Sequence, residues 1–492
     1  MSEQLQRAIL YEEKRAEDKE IQESKPSFHV CAPVGWINDP NGFSCYQGNY
    51  HLFYQYHPYD THWGPMHWGH SRTSDFIKWE QLPCALAPDT PYDGQGCFSG
   101  TAIEHDGKHV LMYTSVQEQL SEDGKSLNRQ TQSIAIGDGI HYEKLECNPV
   151  ITGDMLPEGN SIEDFRDPKL WKEGNTFYAL MGNKGGDGDG QIVLFSSQDL
   201  KSWKFERILD RSRDMYGKMW ECPDFFPLDG KQLLIVSPQF MQAQGAEFHS
   251  GNNSLYFVGE YAPETKTFLR NRPYQIDYGM DFYAPQTTAA MDGRRILIGW
   301  LQSWDNYLTP DTAKWSGMMT IPREISLKNG KLIQVPVREL DLYHKNEVKH
   351  DHVQIKEEDA PLSLEGICGR CLDMTIEVEN GTYDTFTILL AADGENQTAL
   401  IWDRRERLFT TDRTYCGMTK DLLTRRSMLL EDTDERIRLR IVMDKYSVEV
   451  FVNDGQKAMT SLIYTPLKAQ GILFRAKGSL TFSVVKYDVA VN

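Results

Sequence analysis

Residues 36–42 read WINDPNG, in which the carboxylate of Asp39 is held between an amide and a proline, close after a large aromatic residue. Pro40 fixes its own φ and biases Asp39 towards an extended backbone, and Asn41-Gly42 is a strong turn signal. The stretch therefore predicts an acid at a strand-to-turn junction, where a small polar substrate can reach it. Taken alone, the pattern favours a tight hairpin in which Asp39 bonds its own backbone.

Two segments far along the chain repeat this combination of an acid, a proline and nearby aromatic residues. Residues 164–168 read DFRDP and residues 220–224 read WECPD. Any one of the three is typical of an ordinary turn, but together they indicate acids gathered at one mouth of a repeated β fold. Glycoside cleavage needs such a set, because one carboxylate attacks the anomeric carbon or activates water while another, held protonated, serves the leaving oxygen. A third can orient the sugar hydroxyls.

In order and spacing, the three motifs resemble those of glycoside hydrolase family 32, the invertases and fructan hydrolases, from about Pro26 to the C-terminus. The resemblance implies that Asp39 is the nucleophile of a covalent fructosyl-enzyme, that Glu221 is the general acid/base and that Asp167 stabilises the transition state. For a retaining enzyme, the carboxyl groups of Asp39 and Glu221 are expected roughly 5–5.5 Å apart. Because a nucleophile must be ionised, we expect hydrogen bonds to keep the pKa of Asp39 low.

The resemblance also implies a sugar-binding shell around these carboxylates. Gln55 fits a hydroxyl contact, and Trp63 fits an aromatic wall beside the scissile bond. The other residues that match the shell are Trp36, Asn38, Phe98, Ser99, Arg166, Asp281, Tyr283 and Trp304. For an isolated tryptophan or tyrosine, core packing is the commoner role, so that alternative stays open for Tyr283 and Trp304.

Composition limits the remaining possibilities. A chain of 492 residues is too long for one ordinary core, so two domains are expected. The net charge of −19 argues against a nucleic-acid partner, and the chain has no apolar run long enough to predict a membrane span. Residues 1–25 are charged and have no apolar core of the kind that a secretory signal needs, which predicts a cytoplasmic protein. Nine irregularly spaced cysteines do not indicate a disulfide framework.

A faint repeat runs through the first two-thirds of the chain. The segments DFIKW at 75–79 and DLKSW at 199–203 follow Asp39-Pro40 and Asp167-Pro168 at similar separations, and the residues between read as short strands and turns. This pattern predicts four-stranded sheets repeated around an axis, which is a β-propeller. The family resemblance implies five blades, with the site in the axial funnel.

The predicted organisation is therefore all-β, with four segments. These are a charged helical extension over 1–25, the catalytic five-bladed propeller over 26–336, a polar connector over 337–361 and a C-terminal β-sandwich over 362–492. The sandwich is predicted from apolar–polar alternation such as VEVFV at 448–452, which ends in a hairpin turn. Its expected role is structural. A further role in homodimer formation, or in extending the substrate cleft, stays an open alternative.

Neither a metal nor an organic cofactor is predicted, because protonation and covalent capture suffice for the chemistry. The acidic loop GGDGDG at 185–190 suits a hard cation in composition, but it lacks the twelve-residue calcium-loop pattern and its closing glutamate. A mobile surface turn is the favoured interpretation of that loop.

The preferred interpretation of the whole sequence is a retaining β-fructofuranosidase that hydrolyses sucrose or a related β-fructoside. Three alternatives stay open. One is a neighbouring activity, sucrose-6-phosphate hydrolase or fructan exohydrolase, and the former needs a lysine or arginine near the outer subsite. Another is transfer of fructose to a sugar rather than to water. The last is a non-catalytic carbohydrate-binding protein, although such a protein has no need of a protonated acid.

Overall fold

A computed structural model describes residues 1–120, 124–357, 360–418, 420, 422–431 and 436–491. From residue 35 to 336 the chain forms five antiparallel sheets that surround one axis. Blade 1 contains β1 Gly35–Tyr46, β2 Asn49–His57, β3 His67–Thr73 and β4 Glu80–Leu86. Blade 2 contains β5 Gly96–His105, β6 Lys108–Leu120, β7 Ser126–Gly137 and β8 Tyr142–Lys144. Blade 3 contains β9 Phe165–Glu173, β10 Thr176–Lys184, β11 Gly190–Ser197 and β12 Trp203–Arg211. Blade 4 contains β13 Met219–Leu228, β14 Lys231–Gln239, β15 Leu255–Ala262, β16 Thr267–Arg270 and β17 Tyr274–Gln275. Blade 5 contains β18 Tyr283–Ala289, β19 Arg295–Trp300, β21 Arg323–Lys328 and β22 Lys331–Pro336, and the short strand β20 Trp315–Ser316 lies between β19 and β21 in the chain.

The first strand of each blade lies next to the axis, since β1, β5, β9, β13 and β18 contact one another between blades. Apolar side chains fill the space between neighbouring blades. Ile134 of blade 2 shares a core with Phe177 and Phe195 of blade 3, and Leu194 of blade 3 shares one with Phe257 of blade 4. Because each blade packs against a neighbour on both faces, its strands carry apolar side chains on both sides. Their sequences are therefore short, nearly continuous apolar runs.

The propeller ring is closed by pairing between its two ends. Strand β20 is assigned by its hydrogen bonds to blade 1, where it pairs in parallel with β1 so that Gly35 lies opposite Trp315. The amide of Met319 donates to the carbonyl of Val30 at 2.7 Å, which extends the clasp beyond the strands. Gly317 has φ +90°, and an added Cβ would lie 2.1 Å from a β1 carbonyl, so only glycine fits there.

Two helices precede the propeller and pack on blade 1. They are α1 Glu3–Ala16 and α2 Lys19–Ser24, and their N-caps are Ser2 and Asp18. Ala8 and Ile21 are fully buried in the same core as blade 1. Within the described part of the chain, no helix combines the length and the apolar character that crossing a membrane requires.

Residues 337–361 are expected to be a polar connector, but the structure forms a 3₁₀ turn and a strand within this segment. A 3₁₀ turn at Arg338–Tyr343 leads into strand β23, His344–Ile355, which pairs with the last strand of the chain. Its side chains are mostly exposed on both faces, so its sequence has the polar composition of a linker although its backbone is paired. Glu358 and Asp359 lie outside the described residues.

The C-terminal domain is a β-sandwich. Its remaining strands are β24 Leu362–Cys368, β25 Leu372–Ala392, β26 Thr398–Asp403, β27 Leu408–Asp412, β28 Arg425–Leu429, β29 Arg438–Asp444, β30 Ser447–Val452, β31 Lys457–Leu462 and β32 Gly471–Val489. Strands β25 and β32 pair along most of their length and pass through both layers. The first half of β25 also pairs with β29, and its second half pairs with β26. The prediction of a five-bladed propeller followed by a β-sandwich is thus confirmed.

A buried network of charged groups joins the two domains. The guanidinium of Arg323 donates to Asp277 at 2.9 Å within the propeller and to Glu449 at 2.7 Å across the interface. Glu449 also contacts His29 at 2.9 Å, and the other ring nitrogen of His29 contacts Asp444 at 2.9 Å. Burial opposes the charged imidazole, but these two carboxylates raise the pKa of His29 to about 9. The domains are therefore joined by an interface of fixed geometry.

Replacement of Arg323 by alanine is expected to lower the free energy of unfolding by about 3–5 kcal/mol, because buried Asp277 loses the cation that it pairs with and Glu449 keeps only its contact with His29 as a cation partner among those described above. Urea unfolding followed by circular dichroism measures the change. Arg338→Ala is the matched control, because this arginine is 66 % exposed and also pairs with a carboxylate, Glu324. Equal losses in the two variants would contradict a special role for the buried network.

Candidate functional site

All five axial strands carry a register shift near their N-terminal ends, which lie at the same mouth of the propeller. The residues set out of register are Asn38-Asp39, Ser99, Asp167-Pro168, Cys222-Pro223 and Ala284-Pro285. Proline is tolerated in a sheet at a bulge, where its missing N–H is not needed. A bulge also redirects side chains. The acid–proline motifs are therefore the places where the inner strands turn side chains into the funnel.

Three of these bulges have strained backbones. Asp167, Cys222 and Ala284 adopt φ values of +64°, +47° and +50°. Side chains other than glycine rarely occupy this left-handed region, and each such residue costs of the order of 1–3 kcal/mol. Strain at three positions around one funnel marks this mouth as the functional end of the propeller.

The thiol of Cys222 lies between two of the predicted carboxylates. Its Sγ is 3.4 Å from Oδ2 of Asp39 and 3.6 Å from Oδ2 of Asp167. The backbone amide of Cys222 also donates to Asp167 at 3.0 Å. Glu221 precedes Cys222 in the chain, so the structure brings all three predicted acids together at one place. Sequence reasoning missed Cys222, although its proline signal is the same as that beside Asp39.

A relay of hydrogen bonds orients Asp39. The indole N–H of Trp36 donates to Asn38 at 2.8 Å, and the amide of Asn38 donates to Oδ1 of Asp39 at 3.1 Å. The hydroxyl of Ser99 donates to Oδ2 at 2.8 Å. Trp36 and Asn38 are both 3 % exposed, so in this structure Trp36 supports Asn38 from behind and Asn38 supports the acid.

Two donors hold the carboxyl group of Glu221. Nε of Arg166 donates to Oε1 at 2.9 Å, and the hydroxyl of Tyr283 donates to Oε2 at 2.6 Å. Arg166 is itself held by Asp164 at 3.0 Å. Arg166 and Asp167 are neighbours on β9, and the bulge at Asp167 lets both side chains reach the funnel mouth. Arg166 donates to Glu221, whereas Asp167 accepts the amide of Cys222.

Burial sets the electrostatics of the carboxylates. Burial and the charge of Glu221 raise the pKa of Asp39 to about 6, despite three hydrogen bonds that favour the ionised form. The expectation of a low pKa is therefore wrong, because desolvation in the funnel outweighs the donors. Burial and the same negative neighbour also raise the pKa of Asp167. Burial likewise raises the pKa of Tyr283, which keeps its phenol protonated as a donor.

Aromatic rings line the rim of the funnel. Trp63 is 49 % exposed and meets Phe98 edge-on with ring centroids 5.9 Å apart. Trp304 is 39 % exposed and stacks on Trp36 at 6.2 Å. Tyr307 stacks on the same indole at 5.9 Å. Exposed aromatic faces above a polar floor suit the alternating apolar and hydroxyl surfaces of a sugar.

Asp281 and Gln55, two residues of the predicted shell, bind other parts of the protein. Asp281 is fully buried at the domain interface, where it accepts hydrogen bonds from the guanidinium of Arg413 and the amide of Leu462. In this structure Asp281 thus pairs with a cation from the sandwich, and its assignment to sugar binding stays a prediction. Gln55 is 2 % exposed and donates to the carbonyl of Cys97 at 3.0 Å, which supports the strand that carries Ser99.

The arrangement has the groups that a two-step displacement requires. Asp39 offers a carboxylate oxygen, Glu221 offers a carboxyl group held by two donors, and Asp167 offers acceptors for hydroxyl groups. Arg166 is the cation beside them. No group in this set needs a metal for proton transfer or for nucleophilic attack.

Comparison with known proteins agrees with a site that cleaves glycosidic bonds. A family model described as "Glycosyl hydrolases family 32 N-terminal domain" matches residues 29–336, and one described as "Glycosyl hydrolases family 32 C terminal" matches residues 339–490. A sucrose-6-phosphate hydrolase of Zymomonas mobilis is 36 % identical over 479 residues, which are 94 % of this chain and 91 % of the relative. A raffinose invertase of Escherichia coli is 36 % identical over 455 residues, 92 % of each chain.

A solved structure supports the same relationship. The family 32 β-fructofuranosidase of Bombyx mori superposes with a TM-score of 0.84 at 31 % identity, covering 99 % of this chain and 98 % of that one. A variant of that silkworm enzyme has also been solved in complex with sucrose.

Proposed function

Because the chain belongs to glycoside hydrolase family 32 and is a hydrolase of the β-fructofuranosidase type, we propose that it cleaves sucrose with retention of configuration, through a covalent fructosyl intermediate on Asp39. The observation that carries the proposal is the position of Cys222, whose thiol lies within 3.6 Å of both Asp39 and Asp167 while Glu221 is its chain neighbour. One furanose ring spans such a set.

In the proposed first step, a carboxylate oxygen of Asp39 attacks the anomeric carbon of fructose. Glu221 gives its proton to the glycosidic oxygen, and the bond between that oxygen and the anomeric carbon breaks, which releases glucose. In the second step Glu221 takes a proton from water, and the resulting hydroxide displaces Asp39 from the sugar. Asp167 accepts hydrogen bonds from fructose hydroxyls, which strengthen as positive charge develops on the ring.

The test is a comparison of kcat/KM on sucrose, sucrose 6-phosphate, raffinose and inulin-type oligomers, with product analysis in the same assay. We expect turnover of sucrose, with fructose released to water as the main product. Proton NMR during the first minutes is expected to show the β-anomer of fructose before mutarotation. Initial release of the α-anomer would exclude the covalent intermediate, and mainly oligosaccharide products would indicate transfer to a sugar.

The raised pKa of Asp39 predicts the acid side of the pH profile. The nucleophile must be ionised, so kcat/KM is expected to fall as the pH drops below about 6. Ser99→Ala removes a donor that favours the ionised form and should move this limb upward by about one pH unit. Ser115→Ala is the control, because the hydroxyl of this buried serine of the same blade bonds Thr131 and Ser133 among the described residues and none of the three acids there. An unshifted limb in Ser99→Ala would contradict the assignment of the limb to Asp39.

A second substrate, sucrose 6-phosphate, is favoured by one observation at the rim. Lys420 reaches from the sandwich to Tyr307, with Nζ 4.8 Å from the ring centroid. Tyr307 is the residue that stacks on Trp36 above the carboxylates. This ammonium group also pairs with Asp311 at 3.0 Å, and Asp311 is 87 % exposed, so a phosphate group can compete for the cation. The first relatives described above include a sucrose-6-phosphate hydrolase, which agrees with this candidate.

Lys420→Gln separates the two substrates. We expect kcat/KM to fall about tenfold for sucrose 6-phosphate and less than about twofold for sucrose, because a lost charge-assisted contact affects only the phosphate. Lys468→Gln, at an exposed position of the sandwich, is the control. Equal effects of Lys420→Gln on both substrates would remove the support for a phosphate subsite.

A further inference from the structure

The loop of residues 58–66 joins β2 to β3 beside the catalytic strand. His57 ends β2 opposite Trp36 on β1, so the loop leaves the sheet at the end that carries Asp39. Trp63 lies on this loop and packs edge-on against Phe98, the residue before Ser99. The position of the loop therefore decides where the exposed indole of Trp63 stands relative to the carboxylates.

Helix α1 contacts this loop at the side chain of Tyr59. The guanidinium of Arg7 lies 4.9 Å from the centroid of the Tyr59 ring, and Tyr11 meets the same ring edge-on at 5.2 Å. Tyr59 also packs edge-on against His57 and His67, at 5.9 and 5.8 Å. Those two histidines are the residues at which the loop leaves and re-enters the sheet. Tyr59 thus connects α1 to both ends of the loop.

The helix is fixed to the propeller by contacts that do not involve the loop. Ala8 is fully buried in the core, and Oε2 of Glu12 accepts the amide of Cys84 on β4 at 3.2 Å. The hydroxyl of Ser2 donates to Asp89. Because α1 is anchored in this way, it can act as a fixed support against which Tyr59 rests.

On the opposite side, the loop is held by Tyr307. Its hydroxyl donates to the carbonyl of Thr61 at 3.2 Å, and its ring stacks on His62 at 5.3 Å. The loop is therefore supported by Tyr307 on the funnel side and through Tyr59 on the helix side, and its C-terminal end is fixed where Met66 pairs with Gly96. Loss of the contacts to Tyr59 removes the support of the loop on the helix side.

We propose that α1 is a positioning element for sugar binding: through Arg7 and Tyr11 it holds Tyr59, and with it the loop that places Trp63 at the funnel rim. This inference rests on the proposed function, because it assigns Trp63 a contact with the sugar. Arg7 and Tyr11 do not touch the substrate and act only through Tyr59. The N-terminal extension is thereby part of the substrate site, although it lies outside the propeller.

The test combines the double variant Arg7→Ala/Tyr11→Ala with the control Leu10→Ala, which changes a 56 % exposed residue of the same helix. Loss of one cation–π and one aromatic contact is expected to raise KM for sucrose about fivefold while kcat stays within about twofold. In a Trp63→Ala background the same double change should raise KM no further. An unchanged KM, or an equal rise with and without Trp63, would overturn the proposal.

Hydrogen–deuterium exchange supplies a readout that does not depend on activity. Residues 58–66 should take up deuterium faster in Arg7→Ala/Tyr11→Ala than in wild type, whereas Leu10→Ala should leave their uptake unchanged. Equal uptake in all three proteins would exclude a positioning role for α1. If the wild type turned over no β-fructoside, the proposed function would fail, and the exchange result would still decide whether α1 positions the loop.

Discussion

Asp39→Ala is expected to lower kcat for sucrose by at least about 10⁴-fold while the protein stays folded. Without the carboxylate no covalent intermediate forms, and the remaining groups can only bind the sugar and protonate the leaving oxygen. The fold should persist because Asp39 is a buried acid with a raised pKa, whose burial costs stability. Kinetic assays and circular dichroism on the same preparation measure both properties.

Two comparisons sharpen this prediction. Asp39→Asn keeps the shape and the partners of the side chain, so its loss should be nearly as large and attributable to the missing nucleophile. Asp106→Ala removes a carboxylate from an exposed turn on blade 2 and should leave kcat unchanged. Hydrolysis by Asp39→Ala within a hundredfold of wild type would exclude Asp39 as the nucleophile.

Glu221→Gln should lower kcat/KM for sucrose by about 10²–10⁴-fold, because a glutamine cannot protonate the departing glucose. The loss should be much smaller for an aryl β-fructofuranoside whose phenol leaves without protonation. Arg166 and Tyr283 both donate to Glu221, so the substituted amide must turn its oxygen towards one of them. Steady-state kinetics on the two substrates measure the difference.

The control for Glu221→Gln is Tyr283→Phe, which removes one donor but keeps the acid. Tyr283→Phe should affect both substrates by similar, moderate factors, because it disturbs the orientation of Glu221 and leaves its proton in place. If Glu221→Gln lost activity equally on both substrates, its role as the acid would be wrong. Recovery of the aryl substrate by added azide in a Glu221→Ala variant is a further expected result.

The amino-acid sequence predicts the fold and the three acids because both depend on local signals. A proline that follows Asp39, Asp167 or Cys222 marks a bulge on an inner strand, and these bulges recur once per blade. The same signal at Ala284-Pro285 marks the strand of Tyr283. Such a pattern indicates a shared mouth before any contact is known.

Other features depend on partners that are distant in the chain. The pKa of Asp39 follows from its burial and from the charge of Glu221 on another blade, which no motif around residue 39 encodes. Asp281 stands in a motif that resembles a sugar-binding segment, but Arg413 from the second domain takes its carboxylate. The strand at His344–Ile355 is defined by backbone pairing at a sheet edge, which polar composition conceals. Burial and pairing between residues that are distant in the chain could therefore not be predicted from the local sequence motifs.

The clasp between β1 and β20 has a consequence for protein synthesis. Asp39 emerges from the ribosome early, yet β1, the strand that contains it, completes its pairing only with Trp315 and Ser316. Pairing across so many residues is slow to form, and the nascent chain exposes an unmatched strand edge until then. We therefore expect a polypeptide that ends before Trp315 to contain Asp39 without a closed ring around it, and to lack hydrolytic activity.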